Sequence, residues 1–135
     1  RWRARGSHTG ARPAHAGLGE AAGSLGDDAL ARLAIVPMVL EARGLDVTPA
    51  TIERFRIAGD EASARILERI YVDEIRHVRA GTDWLNWACE KRGFVPASTW
   101  QNLVKSRFRG SVKPPFNDSA RLDAGLTQEY YAVIA

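Results

Sequence analysis

At 135 residues the chain fits one compact domain of the usual size of about 100–200 residues, which excludes two independent catalytic units. With 45% hydrophobic and 26% charged residues it can build a packed core, so disordered, collagen-like and coiled-coil-only classes fall away. Its net charge is +3, and its longest uncharged apolar stretch, Leu33 to Leu40, is eight residues long, against the roughly 20 needed to cross a bilayer, so no membrane partner is expected.

Residues 1–26 hold six of the twelve glycines with Pro13 and read as a Gly-rich connector, the tail of a half that precedes it; an Arg-rich, acid-poor targeting segment is the alternative. Residues 27–135 are expected to form the domain. From Asp27 or Asp28, either one an N-cap, the spacing of Leu30, Leu33, Ala34, Pro37, Met38 and Glu41 predicts a helix that Pro37 kinks and Gly44 ends. Thr48-Pro49 then predicts a separate short helix running to Gly59-Asp60.

The next stretch, Glu61 to Arg92, has no proline and only one glycine, Gly81. It predicts a single long helix with an apolar stripe of Ala64, Leu67, Ile70, Tyr71, Val78, Gly81 and Leu85, stopped by Gly93. Pro96 and Ser98 precede a shorter amphipathic helix around Trp100, Leu103, Val104 and Phe108, then an extended loop through Lys113–Asp118 and two short helical turns, the second capped by Thr127. No alternating β-branched run appears, so an all-α fold without strands is predicted.

Charge is unevenly spread. Residues 1–19 carry four arginines and no acids, residues 20–90 are acidic on balance, and residues 91–121 carry seven basic groups against one acidic. Arginines and lysines on a surface most often only solvate it, but Lys105, Arg107, Arg109 and Lys113 interleaved with Phe108 also suit contact with an RNA such as tRNA. The lone cysteine, Cys89, excludes an internal disulfide, reads as a small packing residue, and fits a reducing, cytoplasmic compartment. His8 and His15 read as linker residues, and Trp84, Trp87 and Trp100 as packing anchors.

The chemistry concentrates on the long helix. Glu74 lies four after Ile70, His77 three after Glu74, and Gly81 four after His77, so two ionisable groups interrupt the apolar stripe and are expected to point inward. Glu41 falls on the stripe of the earlier helix, and antiparallel packing would bring it to the same level. A buried carboxylate costs several kcal/mol unless a partner or metal compensates it. Glu-x-x-His plus a facing Glu is half the ligand set of a carboxylate-bridged di-iron or di-manganese site in a helical bundle, and oxygen with imidazole donors suits iron or manganese. Against this stands the plainer reading, in which Glu74 pairs with Arg76, Arg79 or an arginine of another helix.

The motif is longer than its three ligands: Glu41, thirty-one intervening residues, then Asp73-Glu74-Ile75-Arg76-His77. It resembles the pattern of ferritin-like di-iron oxygenases, desaturases and reductase subunits. The stretch from Leu33 to Pro49, and on through Lys113-Pro114-Pro115-Phe116-Asn117-Asp118, is similar to the bacterial ferritin-like family catalogued as domain of unknown function 455. The resemblance implies a ferritin-like helical bundle of which this chain supplies the C-terminal helix pair and short C-terminal helices. It also implies Glu41, Glu74 and His77 as ligands of non-haem iron or manganese, with Asp73 and Arg76 as outer hydrogen-bonding partners of the site.

By the same resemblance, an N-terminal half would add two helices with another Glu and another Glu-x-x-His; that half, or a second copy, is the expected partner. The implied activity is that of an O2-dependent oxidase or hydroxylase, and a related family that hydroxylates a modified tRNA base adds interest to the basic segment. The alternative is a non-catalytic helical binding module, with RNA contact through 91–121. An apolar face left open predicts self-association, hence a homo-oligomer.

Overall fold

The computed structural model describes residues 26–135, so the connector expected over 1–26, with His8 and His15, lies outside the described residues except for Gly26. Every regular element among the described residues is helical. Helix α1 (Asp27–Ile35) passes through a π-helical turn (Val36–Glu41) into α2 (Ala42–Ile57), and a tight turn at Gly59 leads to α3 (Glu61–Arg92). Three shorter helices complete the chain: α4 (Pro96–Arg107), α5 (Asp118–Asp123) and α6 (Gln128–Tyr131).

Helix α3 forms as its sequence predicts. Asp60 Oδ1 accepts from the Ser63 amide at 3.0 Å, satisfying a donor of the first turn. At the other end Gly93 takes φ 73° and closes the last carbonyls. No described helix is long and apolar enough to cross a membrane.

The first helix differs from expectation at three points. Pro37 does not merely kink it but sits in the π-helical turn. Gly44 does not end it: among the described glycines only Gly59, Gly93 and Gly125 have positive φ, and Gly44 stays helical. Thr48-Pro49 opens no new helix, because Pro49 lies inside α2. Proline there removes the donor that would normally serve Leu45 O, and Asn117 Nδ2 supplies it instead, at 3.0 Å from 72 positions away. A distant side chain repairs the local defect, so the helix continues.

The α1–α2 helix and α3 form an antiparallel hairpin, with Pro37 level with Gly81 and Glu41 level with Glu74 and His77. Met38, Leu45, Val78, Leu85, Trp100, Leu126 and Tyr131 are the large fully buried side chains where the C-terminal helices cross it. Trp100 Nε1 donates to Ala34 O at 3.0 Å, at the entrance to the π-helical turn.

The last segment is tied to α2 by a buried ion pair. Arg121 Nη2 meets Asp46 Oδ2 at 2.7 Å with the two side chains 3% and 0% exposed. The Arg121 guanidinium also lies 4.8 Å from the Phe116 ring and 4.6 Å from that of Tyr131. Asp46 also accepts from the Asn117 amide at 2.9 Å, so both charges are paired and hydrogen-bonded, as burial requires.

Candidate metal centre

Two elements place the three polar side chains. The capped start of α3 sets a register in which Glu74 and His77 stand one turn apart on the side facing the π-helical turn, whose last residue is Glu41. Glu41, Glu74 and His77 each offer one ligating atom, and these atoms all lie within 4.8 Å of one another. His77 Nδ1 is 3.6 Å from Glu74 Oε1.

The electrostatics are unfavourable for a site without a cation. Burial, then the like charge of Glu74 and a hydrogen bond between the two carboxyls, push the Glu41 carboxyl above the usual carboxylate range, with His77 pulling the other way. Glu74 Oε2 is buried and has no hydrogen-bond partner among the described residues. Such an atom costs about 1–3 kcal/mol, and among the described residues no arginine offsets it, Arg76 and Arg79 turning to Asp73 and Asp83. A divalent cation between two carboxylates and an imidazole would satisfy the orphaned oxygen and neutralise the like charges at once, so the donor set fits a metal.

The inward expectation holds for Glu74, whose side chain is 23% exposed, but not for His77, which is 64% exposed. The triad sits at the rim of the hairpin, not in its middle, because the described helices cover it on one side only. Asp73 and Arg76 pair with each other at 3.5 Å, 58% and 75% exposed, and among the described residues neither hydrogen-bonds His77. Trp84 is half-buried and meets Trp87 edge to face at 6.2 Å, while Cys89 is fully buried. In the basic segment Arg107 pairs with Asp28 at 3.0 Å and Phe108 packs on the core, leaving Lys105, Arg109 and Lys113 exposed.

Two features escaped the sequence reading. The closeness of Pro37 to Gly81 had one available signal, that Gly81 is the sole glycine in 32 helical residues. The Asp46–Arg121 pair had none, its members being 75 positions apart.

A family model described as "Protein of unknown function (DUF455)" matches residues 1–132. An "Uncharacterized protein" of Haemophilus influenzae is 41% identical over 115 residues, covering 85% of this chain but 40% of that protein. The chain thus spans less than half the length of the curated relative it matches. No solved structure matches it.

Proposed function

This chain belongs to the family described as Protein of unknown function (DUF455), and from that membership and the triad we propose that it supplies one side of a ferritin-like di-iron or di-manganese carboxylate centre. The whole protein would act as an O2-dependent oxidase or hydroxylase. The observation that carries this reading is Glu74 Oε2, buried without a donor among the described residues beside a second carboxylate and an imidazole.

Glu41 and Glu74 would hold the metal through carboxylate oxygens, the buried Glu74 Oε2 among them. His77 would bind through a ring nitrogen. Iron bound there supplies the electrons and open positions that dioxygen reduction needs. Three ligands are half of the set such centres use; the rest of the longer protein, or a second copy, would bring the others. The same partner would cover Leu40, Ile66 and Ile70, which are 53%, 61% and 51% exposed, and would exclude water from His77.

Iron analysis of the protein at its full natural length, beside Glu74→Ala and His77→Ala, tests the assignment. Bound iron in the parent and little in either variant is expected. Equal iron in all three would remove these residues as ligands.

A further inference from the structure

Counted as an unbroken α-helix, Leu30, Ala34, Pro37 and Glu41 succeed one another at intervals of four, three and four and share one face. The π-helical turn Val36–Glu41 breaks that count. Bonding to the fifth residue instead of the fourth takes one extra residue into the turn, so the helix after the turn is rotated by roughly 100° relative to the helix before it. Burial agrees with the rotation. Met38 and Ala42 are fully buried, whereas Glu41 is half-buried at the rim, where its carboxylate meets Glu74 and His77.

Gly81 sets how closely this turn approaches α3. A Cβ at residue 81 would lie 2.3 Å from Pro37 Cγ and 2.5 Å from Pro37 Cβ, so the proline ring rests on the helix backbone at a separation that only glycine permits. Gly81 is one turn beyond His77, and Pro37 one turn before Glu41. The contact and the triad are therefore neighbouring rungs of one helix pair, and a close-packed interior transmits a shift at one rung to the next.

We propose that Pro37 and Gly81 are positioning residues, the ring-on-backbone contact and the π-helical turn together setting the separation and rotation at which Glu41 faces Glu74 and His77. This rests on reading the triad as a cation site. Neither residue contributes a ligand atom; both act through Glu41. Proline suits the turn because its missing amide costs little where the α-helical bonding is already interrupted.

The test uses the protein at its full natural length and Co(II) alone as the probe, reading affinity and visible absorption spectrum, with circular dichroism and thermal melts for the fold. Gly81→Ala is expected to weaken Co(II) binding by about tenfold or more and to alter the spectrum, as loss of outer support for a ligand does. Pro37→Ala returns a backbone donor and a better helix former; it is expected to keep or raise thermal stability while also weakening binding, and it decides the matter alone if Gly81→Ala does not fold. Leu85→Ala, which opens a cavity in the core beside the same helix, should lower thermal stability and leave affinity and spectrum unchanged. Parental affinity and spectrum in both Gly81→Ala and Pro37→Ala would overturn the proposal and leave the triad reading standing. So would an equal loss in Leu85→Ala, which would make affinity a reporter of stability alone. Absence of Co(II) binding in the parent, or unchanged binding in Glu74→Gln, would remove the cation site and the positioning role with it.

Discussion

A buried carboxylate oxygen without a hydrogen-bond partner among the described residues, as Glu74 Oε2 is, burdens the fold when no metal is bound, and the half-buried Glu41 opposite adds like-charge repulsion. Between the ordinary carboxylate value and the raised one of Glu41, the folded chain holds a proton that the unfolded chain has released. Stability of the metal-free protein should therefore fall as pH rises through that window, and Glu41→Gln should lack this component. At neutral pH the variant should be the more stable by about 0.5–1 kcal/mol, solvent screening keeping the effect small, while losing metal. Urea melts of both across the acidic and neutral range check this; a parent as stable as Glu41→Gln at neutral pH would contradict it. The three polar residues could be named from spacing because a polar residue on an apolar stripe stands out in any helix. The exposure of His77 could not, because periodicity fixes the direction of a side chain on its own helix and says nothing of what covers it.

Helix α2 continues through Pro49 because Asn117 serves the carbonyl that proline leaves bare. Replacing Pro49 with Ala restores the local amide, so Asn117→Ala should cost less in a Pro49→Ala background than in the parent. A double-mutant cycle should give a coupling of about 0.5–3 kcal/mol; strictly additive losses would contradict the repair. The Asp46–Arg121 pair behaves likewise on a larger scale. Asp46→Ala strands a buried guanidinium and should cost about 3–5 kcal/mol in chemical denaturation, whereas replacing both with apolar residues of similar volume should cost much less. The bounds of helix α3 were legible because its freedom from proline and its terminal glycine are local signals, but its stripe was so only in part, since Ile70, placed on it, is 51% exposed. The reading of Pro49 as a boundary failed for the opposite reason: the side chain that serves the carbonyl it leaves bare lies 72 positions downstream.

Among the described residues, the C-terminal helices cover one side of the hairpin and leave the side bearing the triad open. Ile66, Ile70 and His77 fall on one stripe of α3, with Leu40 exposed beside Glu41. This chain on its own should self-associate through that face, and Ile70→Lys should shift it toward monomer in sedimentation velocity; a parent that stays monomeric at all concentrations would contradict an adhesive open face. The all-helical class was legible because no segment alternates with period two, whereas the one-sided covering depends on how the C-terminal segment folds back, which no local pattern encodes.

Whether Glu41, Glu74 and His77 together hold a metal ion is tested most directly by iron-edge X-ray absorption on the full-length protein loaded with Fe(II) without oxygen, beside His77→Ala. A nearest-neighbour shell of oxygen and nitrogen with an imidazole contribution that diminishes in His77→Ala is the predicted result. An imidazole contribution of the same size in both proteins would contradict it.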